Sequence, residues 1–216
     1  MSLEMVSRGA RVFLSDIDGS ELQRLSKELK MPAAHCNVTS EEEVTALARA
    51  AVDTFGAIDM WINNAGIWMP YAPVENLNLN RARDLMSVNY FGLASCTIEA
   101  LKHMKPRGKG TILNILSVRA LKGKALGAAY SASKFAAEGF LQAVRDEVKD
   151  SGISILNVYP YRIKTGLFGQ NKHEDYESSM DSSDVAQIIA SNLSEDKPAN
   201  TLQIWSATDV RKTNNE

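Results

Sequence analysis

Short apolar runs alternate along the chain with longer segments in which apolar residues recur every three or four positions. The short runs are typical of buried strands, and the longer segments are typical of helices that bury one face. The pattern predicts strands at 11–14, 33–36, 58–62, 111–116, 153–158 and 202–205. It predicts helices at about 20–29, 41–55, 80–105, 128–149 and 182–193.

The predicted strands are apolar on both faces, which is typical of a sheet covered by helices on each side. Helices between successive strands imply parallel crossover connections. The sequence therefore predicts one α/β domain over 1–216, a doubly wound, mostly parallel, Rossmann-like sheet in three α/β/α layers. Ligands of such sheets bind beyond the carboxyl ends of the strands, so residues that follow each strand are the candidates for chemistry.

Composition narrows the possible functions. The chain has 216 residues, of which 44% are hydrophobic and 23% charged, with 24 basic and 26 acidic side chains and a net charge of -2. That balance argues against nucleic acid as a partner. No apolar run is long enough for a membrane helix or a secretion signal. The two cysteines, Cys36 and Cys96, are expected to be buried thiols. A cytoplasmic protein without a metal site is predicted.

Tyr130 and Lys134 lie four residues apart in a predicted helix and so share one face. A cation beside a phenol can lower its pKa by about 1–3 units, which would make Tyr130 a general acid or base. Ser117 follows the strand at 111–116 and could hold a substrate oxygen near Tyr130. Taken singly, each could instead be structural: a packed tyrosine, a surface lysine and a turn serine.

Further candidates lie at the other strand exits. Asn63-Asn64-Ala65-Gly66 follows one strand, and Gly66 would allow close approach of a ligand. Asn89 interrupts a predicted helix and predicts a local distortion of it. Asp16 follows the first strand, where a carboxylate can bind ribose hydroxyls and repel a phosphate on them. Thr165 follows Pro160, which must end its strand. A loop or turn role remains an alternative for each.

Together, the order and spacing of these residues resemble the short-chain dehydrogenase/reductase family from about Ala10 to Trp205. The resemblance implies reversible oxidation of an alcohol, or reduction of a ketone, with a nicotinamide cofactor, and the Asp16 carboxylate favours NAD over NADP. It implies that Ser117 orients the substrate oxygen, that Tyr130 transfers its proton, and that Lys134 depresses the tyrosine pKa. It also implies that Lys134 holds the nicotinamide ribose and that Asn89 anchors a water in a proton relay.

The resemblance also implies cofactor-binding positions and an assembly. The positions are Asp16, Asn37, Val38, Asn63, Ala65, Gly66, Tyr130, Lys134, Pro160, Ile163 and Thr165. The helices at 80–105 and 128–149 would form a homodimer or homotetramer. The segment from Gly166 to Met180 would cover the substrate.

The chain departs from the family pattern at three places. Only ten residues precede Arg11, so the family's first strand and its Gly-rich turn are missing, and Leu3 to Gly9 resembles the end of the helix that follows them. Asn37 stands where the family has Asp, and Tyr161 where it has Gly. We therefore expect an active oxidoreductase whose N-terminal segment lies before Met1. The alternative is a non-catalytic binding or scaffold protein.

Overall fold

A computed structural model describes residues 1–169 and 176–214. The helices are α1 (Ser2–Ser7), α2 (Gly19–Leu29), α3 (Glu41–Phe55), α4 (Leu79–Met86), α5 (Leu93–Met104), α6 (Ala128–Val148) and α7 (Ser182–Leu193). The strands are β1 (Leu14–Asp16), β2 (Ala33–His35), β3 (Met60–Asn63), β4 (Gly110–Ile115), β5 (Ile153–Pro160), β6 (Ile163–Lys164), β7 (Met180–Asp181), β8 (Thr201–Ile204) and β9 (Val210–Thr213).

The main sheet has the strand order β3-β4-β5-β8-β9, parallel except for the last pair. Its neighbours pair without register slips: Asn63 lies opposite Asn114, and Asn114 lies opposite Asn157. Helices cover both faces, because apolar strand residues pack into two separate clusters. One cluster includes Ile112 and Ile155, and the other includes Leu113 and Leu156. The predicted three-layer, Rossmann-like α/β fold with a mostly parallel sheet is confirmed.

A separate parallel pair, β1 with β2, lies beside this sheet. Within the described residues β1 pairs only with β2, and β3 pairs only with β4. Among the described residues, no strand therefore pairs with both β1 and β3 to join the two sheets. Each of these two strands presents one edge of backbone groups that sheet neighbours would normally pair.

Local sequence signals set several helix boundaries. Asp18 begins α2 by accepting the backbone N–H groups of Ser20 and Glu21, and Ser40 begins α3 by accepting that of Glu43 at 3.2 Å. Gly56 ends α3 with φ +84°, a left-handed conformation that favours glycine. The predicted helix at 41–55 is confirmed to the residue.

The predicted long helix at 80–105 is interrupted. Between α4 and α5, Ser87–Gly92 forms a π-helical segment with Asn89 buried inside it. The distortion predicted from Asn89 is therefore confirmed. A bulge of this kind turns the asparagine side chain toward a neighbouring segment instead of its own helix.

Other boundaries differ from the pattern. The first strand begins at Leu14, because Arg11 and Phe13 contact Phe55 instead of a neighbouring strand. The resemblance of Leu3 to Gly9 to a helix end is confirmed by α1, and Gly9 follows it at φ +87°. The hairpin strand β9 and the short pair β6-β7 were not predicted.

Several structural facts limit the chemistry of the described residues. Both cysteines are buried free thiols, as expected. In the described ranges no three His, Cys, Asp or Glu side chains are grouped as a metal site would need. None of the helices described is both long enough and apolar enough to cross a membrane.

Candidate active site

The carboxyl ends of β3, β4 and β5 meet at one edge of the main sheet, and the chain carries polar side chains just beyond them. Ser117 follows β4 and begins a 3₁₀ turn, Val118–Ala120, by accepting the N–H of Arg119 at 3.2 Å. Tyr130 lies in the first turn of α6, which contacts that 3₁₀ turn closely. Gly66 lies in the irregular segment that follows β3, referred to below as the turn after β3.

Ser117 and Tyr130 are brought together as the spacing predicted. The Ser117 hydroxyl lies near the phenol of Tyr130, close enough to act on its pKa, and both side chains are buried, at 7% and 9% exposure. The phenol packs among apolar residues, with Leu85 and Ala129 buried beside it. Two neighbouring hydroxyls at a sheet edge can together bind one further oxygen atom.

Lys134 lies one helical turn beyond Tyr130, with its amine 5.9 Å from the centroid of the phenol ring. Among the described residues its one hydrogen bond is a long one, 3.5 Å to the carbonyl of Ile115. A Cβ atom on Gly66 would lie 3.7 Å from the Lys134 amine and 3.3 Å from Oδ1 of Asn89. Gly66 therefore lets the turn after β3 lie against both side chains.

Asn89 fixes that turn to the helices. Its Oδ1 accepts the N–H of Ile67 at 2.8 Å, and its Nδ2 donates to the carbonyl of Ile67 at 2.9 Å and to the Ser133 hydroxyl at 3.0 Å. The side chain is only 1% exposed. The π-helical segment thus places an amide where it pairs both backbone groups of Ile67, beside the Lys134 amine.

The electrostatics differ from the expectation for Tyr130. Burial raises the pKa of Tyr130 to about 12, although the nearby Ser117 hydroxyl and the Arg119 charge both act to lower the pKa. Burial also lowers the pKa of Lys134 to about 8. The expected depression of the tyrosine pKa by Lys134 is therefore not found in the chain as described. Loss of hydration outweighs the groups that lower the pKa of Tyr130, and loss of hydration is the one cause of the shift at Lys134.

Replacing Lys134 with Met is expected to stabilise the fold at neutral pH. The folded-state pKa of Lys134 lies below its usual value of 10.5, so the unfolded chain binds more protons between about pH 8 and pH 10.5. The parent's stability therefore rises with pH across that window, and below it the buried charge is fully destabilising. Lys134→Met should raise the free energy of unfolding at pH 7 by about 1–3 kcal/mol.

Urea unfolding at pH 7 and at about pH 10 measures this effect, and the gain should shrink at the higher pH. Lys27→Met removes an exposed lysine of α2 and is the matched control, with a change within about 0.5 kcal/mol. A variant less stable than the parent at pH 7 would contradict the prediction.

The residues predicted to bind the adenosine end lie after β1 and β2. Asp16 is exposed, and its Oδ1 accepts the N–H of Asp18 at 2.9 Å, which leaves the other oxygen facing outward. The Asn37 side-chain oxygen instead accepts the N–H and hydroxyl of Thr39 at 3.1 and 2.9 Å. Val38 is half-buried against the main core, close to Gly92.

Asn63 is placed differently from the expectation. Its side chain is buried, where Oδ1 accepts the indole N–H of Trp61, and Nδ2 donates to Thr97 and Asn114. All polar atoms of its side chain are thus bonded inside the protein, because β3 directs that side chain into the sheet, and none of them is left for a cofactor. Ala65, by contrast, is exposed on the turn.

The residues after β5 lie at the same sheet edge. Pro160 is the last residue of the strand, as predicted. Ile163 is in β6 and packs with the second apolar cluster, and the Thr165 hydroxyl accepts the N–H of Leu167 at 3.3 Å. In the expected substrate cover, Gly166 to Met180, residues 170–175 lie outside the described part of the chain.

The pattern analysis missed an aromatic group beside Tyr130. Trp68 packs against the Tyr130 cluster and makes edge contacts with Tyr71 and Phe168, at 5.6 and 5.1 Å between ring centroids. Tyr71 lies near enough to Tyr130 to raise its pKa. The sequence does hold a signal for this group, the apolar run Ile67-Trp68-Met69 directly after Gly66. The strand has already ended there, so these apolar side chains cannot belong to the buried strand and must pack elsewhere.

The described residues fit parts of a nicotinamide dinucleotide. The Lys134 amine has donors left over for a ribose diol, and the outward oxygen of Asp16 can accept from another ribose. A pyrophosphate needs backbone N–H groups at a Gly-rich helix start. In the ranges 1–169 and 176–214 no turn with several glycines opens a helix at this edge. The described residues therefore fit the two ribose groups of the cofactor, and this fit does not extend to its pyrophosphate.

Comparison with protein families gives one match over most of the chain. Residues 1–176 match the family model described as short chain dehydrogenase. The chain is 33% identical over 165 residues to a 3-alpha-(or 20-beta)-hydroxysteroid dehydrogenase of Mycobacterium tuberculosis, covering 76% of this chain and 63% of that protein. It is 32% identical over 164 residues to (+)-borneol dehydrogenase 2 of Salvia officinalis, covering 74% and 58%. The chain thus spans about three fifths of the length of these relatives.

Solved structures agree with the fold. The protein ElxO with NADP bound superposes with a TM-score of 0.84 at 26% identity, covering 94% of this chain and 90% of that chain. A short-chain dehydrogenase from Streptomyces avermitilis superposes with a TM-score of 0.83 at 26% identity, covering 94% and 82%.

Proposed function

The chain belongs to the short-chain dehydrogenase family, and from this premise we propose that it interconverts a secondary alcohol and its ketone with a nicotinamide cofactor. The closeness of the Ser117 hydroxyl to the phenol of Tyr130, with Lys134 one helical turn away, is the observation that supports the proposal. The two relatives are named for a hydroxysteroid and for borneol, which are both cyclic alcohols. A cyclic secondary alcohol is therefore the proposed substrate, and the apolar group around Trp68 supports it.

In this mechanism Ser117 and Tyr130 both hydrogen-bond the substrate oxygen. In the reduction direction Tyr130 donates its proton to that oxygen, and in the oxidation direction it removes the hydroxyl proton. When bound, the cofactor supplies or accepts the hydride at the carbon that bears the oxygen. Lys134 would hold the nicotinamide ribose with its remaining donors, and Asn89 keeps the turn at Gly66 in place beside it.

The pKa of Tyr130, about 12, also bears on which direction of the reaction is faster. At neutral pH the phenol is protonated, which is the form that ketone reduction needs. Alcohol oxidation needs the phenolate, whose share grows as the pH rises toward that pKa. We therefore propose that reduction is the faster direction at neutral pH.

The function is tested with the purified chain and a panel of cyclic alcohols and ketones. Binding of NAD and NADP is measured by calorimetry, and turnover by the absorbance of the reduced nicotinamide. Binding of a nicotinamide cofactor together with ketone reduction is expected. Absence of both would overturn the proposal and favour the alternative of a non-catalytic binding protein, which neither the site geometry nor the comparisons support.

We propose NAD as the preferred cofactor, because the exposed Asp16 carboxylate at the end of β1 would repel a phosphate on the adenosine ribose. Asp16→Ser should improve the affinity for NADP relative to NAD by about tenfold or more, since tenfold corresponds to about 1.4 kcal/mol of removed repulsion. Dissociation constants for both cofactors measure the effect. The control is Asp53→Ser, which changes an exposed aspartate of α3 and should leave the ratio of the two dissociation constants unchanged. A ratio in Asp16→Ser equal to that of the parent would contradict the prediction.

The proposed assembly is a homodimer or homotetramer. Three large apolar side chains on neighbouring helical segments are exposed: Phe91 by 60%, Ile98 by 49% and Phe135 by 46%. Their joint exposure supports a subunit contact along α5 and α6. Sedimentation equilibrium of the purified chain measures it, and a monomer at micromolar concentration would contradict it. The single domain over 1–216 and the cytoplasmic location stay predictions from the sequence.

A further inference from the structure

Two aromatic side chains from separate segments of the chain meet at the candidate site. Trp68 follows β3, and Phe168 follows β5 and the short β6, and their ring centroids lie 5.1 Å apart with the ring planes at 71°. In the main sheet β4 lies between β3 and β5, and Ser117 follows β4. The contact between Trp68 and Phe168 therefore spans the exit of the middle strand, where the candidate site lies.

Trp68 is a fixed wall of the site. It packs against the apolar cluster that contains Tyr130. The residue before it, Ile67, has its backbone N–H and carbonyl both paired by the side chain of Asn89, at 2.8 and 2.9 Å. Tyr71 adds an edge contact with the Trp68 ring at 5.6 Å. The position of this ring is thus set by the same side chain that holds the turn after β3.

Phe168 lies on a backbone that can rotate. It ends the 3₁₀ turn Gly166–Phe168 and is followed by Gly169, which has φ +50°. A Cβ atom on Gly166 or on Gly169 would meet no described neighbour within 4 Å. Because glycine has wide backbone freedom and these two lie in open space, the Phe168 ring can move away from Trp68 without a steric clash at either glycine.

The space on the opposite side of Tyr130 is too small for a substrate ring. A cavity of about 10 Å³ borders Tyr130 there, with Met69, Leu77 and Leu126 among its walls, and it has room for about one water molecule. Neither aromatic ring of the Trp68–Phe168 pair is among the residues that line it. A ring whose oxygen is held at Tyr130 therefore extends toward the aromatic pair.

We propose that the ring of the cyclic substrate binds between Trp68 and Phe168, which makes these two side chains the specificity-determining residues of the site. This inference rests on the proposed function, because it takes Ser117 and Tyr130 to hold the oxygen that the substrate ring carries. Insertion exchanges the contact between the two protein rings for two contacts with the substrate. An open-chain ketone must give up rotational freedom to make the same contacts, so the pair selects rings over open chains.

Equilibrium binding tests the inference separately from turnover. Calorimetry with the purified chain and oxidised cofactor, which cannot reduce a ketone, compares cyclohexanone with 2-hexanone and cyclooctanone with 2-octanone. The cyclic ketone of each pair should bind about 3- to 10-fold more tightly, the range for contact with an aromatic ring. The ratio is the measured quantity, because both ketones of a pair must separate the two protein rings and that cost cancels.

Trp68→Leu and Phe168→Leu should each bring the two dissociation constants of a pair within about twofold of each other, since each variant removes one aromatic wall. Binding of 2-hexanone should stay within about threefold of the parent value, which shows that the site is still folded. Trp68→Phe, which keeps an aromatic ring, should retain part of the preference. Trp205→Leu is the matched control, because Trp205 is a partly exposed tryptophan that follows β8 and stacks on Tyr161, and it should leave the preference unchanged.

A parent chain that binds the ketones of each pair equally would overturn the inference. So would a cyclic preference that survives in either Trp68→Leu or Phe168→Leu, or one that is lost equally in Trp205→Leu. Turnover is then assayed with reduced cofactor. A cyclic preference that depends on both aromatic side chains, found without any ketone reduction, would support the binding site and count against the proposed reaction alone.

Discussion

Replacing Tyr130 with Phe is expected to lower kcat for ketone reduction by about 10²- to 10⁴-fold, the contribution of a positioned general acid. The phenol is the proton donor at the reacting oxygen, and the change removes only its hydroxyl from a site that is otherwise packed by apolar groups. Ser117 would keep one hydrogen bond to the substrate, so KM should change less than kcat. Steady-state rates with reduced cofactor measure the effect.

The control for Tyr130→Phe is Tyr90→Phe, which makes the same chemical change in the π-helical segment, where the ring packs on Phe140. It should keep kcat within about twofold, as expected for a group outside the reaction. The free energy of unfolding of Tyr130→Phe should fall by no more than about 1.5 kcal/mol, the value of one hydrogen bond. Retention of more than a tenth of the parent kcat would exclude Tyr130 as the proton donor.

Replacing Asn114 with Leu is expected to lower the free energy of unfolding by about 2–5 kcal/mol. Asn114 is fully buried in β4, where its Oδ1 accepts from Asn63 at 2.8 Å and its Nδ2 donates to Asn157 at 2.9 Å. The three side chains are register partners on adjacent strands, so they form an amide ladder across the sheet. Leucine leaves a donor of Asn63 and the Oδ1 of Asn157 with one partner fewer, at about 1–3 kcal/mol each.

Urea unfolding of the purified chain measures the loss, with Asn80→Leu as the control at an exposed asparagine of α4, where a change within about 0.5 kcal/mol is expected. The ladder itself is tested by adding Asn157→Leu. Because the two amides bond each other, the double variant should lose less than the sum of the single losses. Strict additivity, or a single loss under about 1 kcal/mol, would show that the ladder does not stabilise the fold.

The amide ladder shows where pattern reasoning stops. Asn114 and Asn157 each interrupt an apolar strand, which is visible in the sequence, but their partnership depends on the register of β4 against β5. Asn63 is the clearest case: the family resemblance implied a cofactor contact, and the register of β3 directs its side chain to Asn114 and Thr97 instead. Neither register nor the direction of a side chain at a strand end follows from periodicity.

The sequence by itself determined the α/β order, the bounds of α3, the distortion at Asn89 and the approach of Tyr130 to Ser117. Those features depend on local spacing and on the rule that parallel strands expose their carboxyl ends together. Only the tertiary structure decided the raised pKa of Tyr130, the lowered pKa of Lys134 and the place of Arg119 beside Tyr161. Burial and distant charges set these properties, and both depend on which segments pack together, which no short stretch of sequence encodes.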